Sequence, residues 1–468
     1  MKGEVIEALS QAVGPDKVAS DAASLAARRF DQWVVSHLRD WRGQAMPAPG
    51  VVVRPANVSD VQAVVRLAAS RGVRVIPHGL GSGVCGGVIG SPEAILLDMS
   101  AMSAVRFIDE VNLLAGFDAG KNGLEAEEAV AAEGLTIGHW PQSVAISSVG
   151  GWVSTRASGQ FSSANGNIED MIYAIEAVLP DGELVTLGKA PRAAAGPDLR
   201  HLVMGGEGTM GVVTGVTLAL RRRSEHTAMT AFHAPDFDGG IEAQRRIVQA
   251  DWRPPVMRLY DAVEARRSFA DHAREGEGLL LMIHEGPSAR VVAEVAAVRQ
   301  IAADAGLAEA DPAATAGWFE RRNHTPAWRD LLERGFIVDT VEVSASWTAI
   351  GAIYRDAVAA LKAVPSVINA SAHSSHVYRT GINLYFSFAA RPEDPAQMEG
   401  RYFDCWRAIM QATARHGGGV AHHHGIGRVR RDYLAHDLGE GGVALLRKVK
   451  GALDPKGIMN PGVLIPDA

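Results

Sequence analysis

Three consecutive histidines, His422, His423 and His424, stand before Gly425 in AHHHGIG, and imidazoles exchange protons near neutral pH. Read as a strand, the run turns His422 and His424 to one side and His423 to the other. A surface histidine cluster and a metal site are the other readings of such a run. Tyr385 lies in GINLYFSFA, where strand alternation gives it a common face with Asn383 and Ser387. A phenol there suits proton transfer or plain packing. Arg329, in PAWRDLLE, carries a guanidinium fit for a carboxylate or phosphate, and it equally suits a helix-surface pair with Glu333.

Glycine-rich stretches supply a second kind of chemistry. The run SSVGGWVSTRASG, Ser147 to Gly159, offers backbone amides and short hydroxyls in place of apolar bulk. Gly150 and Gly151 permit close backbone approach, and Ser148, Ser154, Thr155 and Ser158 each give or take a hydrogen bond. Val149, Trp152 and Val153 read as strand-like positions, which argues against a solvated linker. Gly81, Gly83 and Gly86 formally satisfy G-x-G-x-x-G, but GGVIGSPEA follows and cannot sustain the helix that a dinucleotide fingerprint must open. The better reading is an anion nest around a pyrophosphate, built by His78, Gly79, Gly81, Ser82 and Gly83. GGEGTMGVV adds a third loop.

The elements that must position these groups follow from local patterns. Helical segments occupy 4 to 45. A strand from Val51 leads into a helix begun by a Ser59/Gln62 capping box at Asp60, with Val61, Val64, Val65 and Ala68 on one face. Strands follow at Arg74 to Pro77, Ala94 to Asp98 and near Leu113 to Phe117, with a helix at Asn122 to Glu133. Tyr173 to Leu179 and Glu183 to Leu187 form a hairpin turned by Pro180, Asp181 and Gly182. Charge gathers at Arg221 to Glu225 and the glycine loops stop, which marks a domain boundary. Beyond it, strands (Thr227 to Phe232, Leu279 to His284, Asn383 to Phe388) alternate with Ala-rich helices (Ala289 to Ala305, Ala349 to Ala363, Met398 to His416). This pattern suits an antiparallel sheet covered on one side by helices. A helix at Gly442 to Leu453 precedes the closing DPKGIMNPGVL.

The chain has 468 residues, 47% hydrophobic and 21% charged, with a net charge of -7. That length suits two or three domains, and the acidic balance argues against nucleic acid as a partner. No apolar run is long enough to span a membrane, and the N-terminus lacks a signal-peptide pattern. Cys85 and Cys405, the two cysteines, suit a reducing compartment, so the sequence reads as cytoplasmic.

The three glycine loops, in this order and ahead of the Tyr385 region, resemble the vanillyl-alcohol-oxidase (PCMH-type FAD-binding) flavoproteins over roughly residues 45 to 468. GGWVSTRASG, GNIED at Gly166 to Asp170, GPDLRHLVMGGEGTMGVVT, RLYD at Arg258 to Asp261 and AHHHGIG are similar to the alkylglycerone-phosphate synthases within that family. The resemblance implies an α+β fold: a helical segment at 1–45, a PCMH-type FAD-binding domain of two α/β subdomains at 46–225, a cap at 226–430 with a helix-covered antiparallel sheet, and a segment at 431–468 returning to the flavin. It implies FAD, bound without a covalent link, on four stretches. These are Pro77, His78, Gly79, Leu80, Gly81, Ser82 and Gly83; Pro141, Gln142 and Ser143; Ser148, Gly150, Gly151, Thr155, Arg156, Ala157 and Ser158; and Glu207, Gly208, Thr209, Gly211, Val212 and Val213. Leu80, Gly83 and Gln142 depart from the family pattern, and His78 is the one nearby candidate for a covalent link. Tyr385 becomes the catalytic acid/base, with His422, His423, His424, Arg258 and His139 lining the active site and Arg329 binding substrate. No metal, a homodimer and a lipid-like small-molecule substrate are further implications, with peripheral membrane contact left open.

Two activities share this fold. In the first, the acyl group of acyl dihydroxyacetone phosphate is exchanged for a fatty alcohol through a flavin adduct, a step of ether lipid biosynthesis with no net electron flow. In the second, an FAD-linked oxidase or dehydrogenase takes a hydride from an alcohol or 2-hydroxy acid. Metal-assisted 2-hydroxy-acid dehydrogenases carry H-x-G-D-G-N-x-H and E-H-G-I-G, where this chain has HVYRTGINLY from His376 and HHGIG from His423. Tyr385 and His423 thus replace metal ligands, which favours the exchange or an oxidase of different chemistry. Ser387, where the synthases often have an aromatic residue, argues for a different pocket. A non-enzymatic flavin-binding protein is the third reading.

Overall fold

A computed structural model describes residues 1–324 and 327–466. The chain divides into two compact units: residues 1–158, 167–223 and 423–468 form one, and 159–166 with 224–422 form the other. Among the described residues no helix is long and apolar enough to cross a membrane.

Among the described residues the first unit holds two larger sheets and a two-stranded pair, Leu135–Thr136 with Arg221–Arg222. Apolar runs Val51–Val53, Ala94–Asp98 and Arg74–His78 pair in parallel around the central Ala94–Asp98 strand, with Val18–Ala19 antiparallel on the outer edge. The helix between the first two in sequence, Val58–Arg71, buries Val61, Val64, Val65 and Ala68 as their spacing predicts. Its cap differs from the expected Ser59/Gln62 box. Asn57 accepts the Asp60 amide at 3.0 Å, while Gln62 spends its side-chain amide on the Gly182 carbonyl at 2.9 Å.

The second sheet is antiparallel, in the order Val105–Asp109, Leu114–Asp118, Val212–Ala219, Ile172–Val178, Leu184–Leu187. Its last two strands are the expected hairpin, with Gly182 at φ +85° in the turn. The reading of Val149, Trp152 and Val153 as strand positions is corrected, because Val149–Thr155 is a helix. Spacings of three and four residues fit a helical face equally well. Packing decides the matter: all three side chains are buried in the core with Phe117, Ile175 and Val216. A Cβ on Gly150 would come 2.6 Å from that of Ala119, and one on Gly123 would come 2.2 Å from the Trp152 ring.

The second unit is built on one antiparallel sheet in the order Ala308–Ala310, His226–Ala234, Gly278–Gly286, Val256–Tyr260, Val367–His373, Gly381–Ala390, Ile337–Ser346, with Val377–Tyr378 also paired to Gly381–Ala390. Helices Phe237–Gln249, Ser288–Asp304, Trp347–Ala363 and Met398–Arg415 cover one face. That face is apolar, with Leu259, Leu280, Val341, Val343, Leu384, Phe386 and Phe388 all buried. Alternation therefore gives the opposite face of the last three strands its polar set: Ser371 and His373; Asn383, Tyr385 and Ser387; Glu342 and Ser344. His422 to His424 are not on a strand, contrary to expectation, and the C-terminal helix begins at Leu434 and breaks at Gly439, φ +65°.

Candidate active site

In the first unit the strand ending at Pro77 and His78 delivers the loop through Gly79, Leu80, Gly81, Ser82 and Gly83, and no helix follows it. A Cβ on Gly79 would lie 2.3 Å from Ser148 Oγ, so the loop backbone lies directly against the start of the Val149–Thr155 helix. Ser148 Oγ accepts the Gly151 amide at 3.2 Å. The Ser154 and Thr155 hydroxyls donate to Gly150 and Gly151 carbonyls at 2.9 and 3.0 Å, so their protons are spent within the helix. Arg156 ends the helix at φ +52° and pairs with Glu169 at 2.9 Å. Ala157 accepts the Ile168 amide, and Ser158 donates to Asn167 Oδ1 at 2.8 Å. His78 is buried, with Nδ1–H on the Gly79 carbonyl at 2.8 Å, and burial lowers its pKa.

Residues from the far end of the chain close this region. Asn460 of NPGVL donates to the carbonyls of Glu207 and Gly87 at 2.7 and 3.1 Å, and its amide bonds Val75. The Glu207 carboxylate accepts the Ile426 and Gly427 amides at 2.7 and 2.8 Å, tying the GIG turn after the histidines to the third loop. Burial raises Glu207 to about 7 and its neighbour Asp31 likewise to about 7. Gly208 packs on Pro77, Thr209 Oγ1 bonds the Gly206 carbonyl, and beyond Gly211 the strand begins with buried Val212 and Val213. Pro141 and Ser143 accept the Val144 and Ile146 amides, with Gln142 exposed between them. His423 and His424 belong to this unit, their ring centroids 4.6 Å apart.

His139 is the informative residue here. It is fully buried against Trp152, with ring centroids 4.7 Å apart, and burial depresses its pKa to about 3. Neither ring nitrogen has a hydrogen-bond partner among the described residues. A buried imidazole with an unused donor and an unused acceptor calls for a polar ligand. Flavin and ribityl groups offer both functions, so the residues present fit FAD.

In the second unit Tyr385 is half-buried at the middle of its strand, with Glu342 opposite on one neighbouring strand and His373 on the other. The Tyr385 and His373 rings stack with centroids 4.9 Å apart and planes 7° from parallel. The RLYD motif organises what surrounds them. Arg258 Nη2 donates to His373 Nε2 at 2.8 Å and Arg258 Nε donates to Tyr260 Oη at 3.0 Å. Leu259 faces the covering helices, where Gly240 packs on it. Asp261 caps the Ala262–Ser268 helix and accepts the Ala372 amide at 2.7 Å, so the helix delivers Glu264 Oε1 to within 2.9 Å of His373 Nδ1. Because a guanidinium only donates, His373 Nε2 accepts and Nδ1 carries the proton. Burial also lowers its pKa, so His373 is a neutral ring of fixed tautomer.

His422 belongs to this second unit, its Nε2 2.6 Å from Tyr378 Oη and its ring 4.9 Å from that of His376. His376 Nε2 reaches the Gly159 carbonyl and Nδ1 the Ser375 hydroxyl, both at 2.8 Å, so both of its nitrogens are used inside the unit. Arg329 stands apart. Its side chain is 75% exposed and pairs with Glu333 at 2.8 Å, the helix-surface alternative of the sequence. His373, Glu264 and Glu342 escaped sequence reasoning. Strand alternation inside VINASAH could have flagged His373, whereas nothing local marks the two carboxylates.

Two family descriptions cover most of the chain. "FAD linked oxidases, C-terminal domain" matches residues 223–464 and "FAD binding domain" matches 49–188. The uncharacterized FAD-linked oxidoreductase YgcU of Escherichia coli K12 is 31% identical over 99% of each chain. The alkyldihydroxyacetonephosphate synthase of Dictyostelium discoideum is 28% identical over 97% of this chain and 79% of its own. A solved alkyldihydroxyacetonephosphate synthase structure superposes with a TM-score of 0.82 at 26% identity, covering 98% of this chain and 85% of that one.

Proposed function

From the premise that the chain belongs to the FAD-linked oxidase family and is an FAD enzyme, we propose that it catalyses acyl-for-alkyl exchange on acyl dihydroxyacetone phosphate. The observation that carries this reading is Tyr385, stacked on a neutral, doubly hydrogen-bonded His373 at the centre of a polar sheet face. The phenolate form of a side chain held this way can take a proton from a substrate carbon, and the phenol so formed can return it. FAD, when bound, supplies an electron-poor ring that accepts electron density from that carbon. The first unit contributes binding: the glycine loops bring amides close to the cofactor, and His139 offers one donor and one acceptor inside the protein. The second unit contributes proton chemistry through Tyr385 and a cation through Arg258. His376, the first histidine of the pattern used by metal-assisted dehydrogenases, has both nitrogens committed, and Tyr385 replaces the second. Non-covalent FAD belongs to the same reading, because His78 is buried with its Nδ1 bonded to the Gly79 carbonyl.

A second reading, hydride removal from an alcohol or 2-hydroxy acid, is supported by the similarity to an FAD-linked oxidoreductase. Anaerobic mixing of the yellow protein separates the two. Release of free fatty acid from acyl dihydroxyacetone phosphate, with the alkyl product formed when a fatty alcohol is present and the flavin oxidised at the end, is the expected result. Lasting bleaching by an alcohol or hydroxy acid, without fatty acid release, refutes the exchange.

A further inference from the structure

We propose that Glu264 and His373 form a positioning pair that holds the Arg258 guanidinium as the binding group for the substrate's phosphate, on the scaffold that orients Tyr385. The proposal rests on the phosphate-bearing substrate of the exchange reading.

Arg258 is half-buried and two of its three nitrogens are fixed, Nη2 on His373 and Nε on Tyr260 Oη. Its carbon centre lies 5.1 Å from the Trp318 ring centroid and 5.8 Å from that of Tyr260, so two aromatic rings flank the cation. Nη1 makes no hydrogen bond among the described residues, and neither partner of the other two nitrogens is an anion. This is an unusual setting for a guanidinium. An arginine placed for stability alone ordinarily takes a carboxylate directly, yet the carboxylate here, Glu264, is one residue removed and reaches the cation only through the imidazole. Glu264, which also pairs with Arg267 at 3.4 Å, sets the His373 tautomer while leaving the Arg258 guanidinium's own donors for something else. A tetrahedral dianion accepts from such a donor edge in charge-assisted bonds. The stack of His373 on Tyr385 places the hub of this relay against the proposed proton acceptor, so anion capture and proton transfer share one rigid piece of sheet.

Glu264 and His373 are positioning residues because they act through Arg258. The test is calorimetric binding of dihydroxyacetone phosphate to the FAD-loaded protein, with the flavin spectrum and melting midpoint as checks of integrity. His373→Phe keeps a flat ring against Tyr385 and removes both hydrogen bonds. It should weaken binding about tenfold or more, and in turnover raise KM far more than it lowers kcat. Arg258→Met should abolish binding, and His373→Gln, whose carbonyl can still accept from Arg258, should recover part of the loss. Should His373→Phe fold poorly, Glu264→Leu reads the same loss from the other end of the relay. Unchanged affinity in His373→Phe, with Arg258→Met defective, overturns the positioning pair and leaves the phosphate reading standing. No binding of dihydroxyacetone phosphate by the unaltered protein, with binding of glycolate or lactate in its place, overturns both.

Discussion

Glu207 is buried at 9% exposure with two backbone amides on its carboxylate, and burial raises its pKa from 4.5 to about 7. The folded state therefore holds the proton more tightly than the unfolded chain. The sign follows: this contribution to stability is complete below the unfolded-state pKa and is lost as pH rises through about 7. The difference is worth on the order of 3 kcal/mol, most of which disappears between pH 5 and pH 8. Asp31, raised to about 7 by burial and by the Glu207 charge, acts in the same direction. Glu207→Gln removes the titration. The amide oxygen keeps one backbone donor and leaves the other facing NH2, a pH-independent cost of about 1–3 kcal/mol. The assay is the temperature of FAD release, read by flavin fluorescence at fixed FAD concentration because ligand concentration shifts such midpoints. Unaltered protein should lose midpoint as pH rises from 5 to 8, and in Glu207→Gln the fall should be smaller by roughly 2–5 °C. Equal slopes in the two proteins, or a midpoint that climbs with pH, would refute the argument.

Three further outcomes follow from the same geometry. Tyr385→Phe should retain FAD and its absorption spectrum while turnover drops by roughly 10²-fold or more; undiminished turnover removes Tyr385 from the chemistry. Asp339 receives Tyr402 Oη at 2.8 Å and Trp406 Nε1 at 3.1 Å in the buried seam between sheet and helix. Asp339→Ala should then cost about 2–5 kcal/mol in denaturant unfolding, since two buried donors lose their acceptor. Arg329→Ala should change stability by no more than about 0.5 kcal/mol, the worth of an exposed i,i+4 pair, and leave kcat/KM intact; a tenfold loss would return Arg329 to substrate binding.

What the sequence made legible was what local chemistry decides. The hairpin at Pro180 to Gly182 and the apolar stripe of Val61, Val64, Val65 and Ala68 follow from turn residues and periodicity, and both formed. The Val149–Thr155 segment was misread because two adjacent glycines lower helix propensity, and what overrides them lies elsewhere in the chain, in Ala119, Gly123 and the Phe117 core. The relay on Arg258 was hidden for a related reason. His373 stands 115 positions from Arg258 and 109 from Glu264, and only the register that sets Tyr260 against His373 brings them together. Arg329 and Arg258 show the same contrast from opposite sides. Arg329 has its acceptor one helical turn away at Glu333, where the sequence displays it. Arg258 has one acceptor, His373, supplied by strand pairing and another, Tyr260, two positions along its own strand, and these spend only part of its hydrogen-bonding capacity. A cation whose needs are met locally has little left for a ligand, whereas one held in part by a distant neighbour with a donor edge to spare is built to receive one. By that reasoning RLYD, more than PAWRDLLE, is the motif in which to look for the substrate's anion.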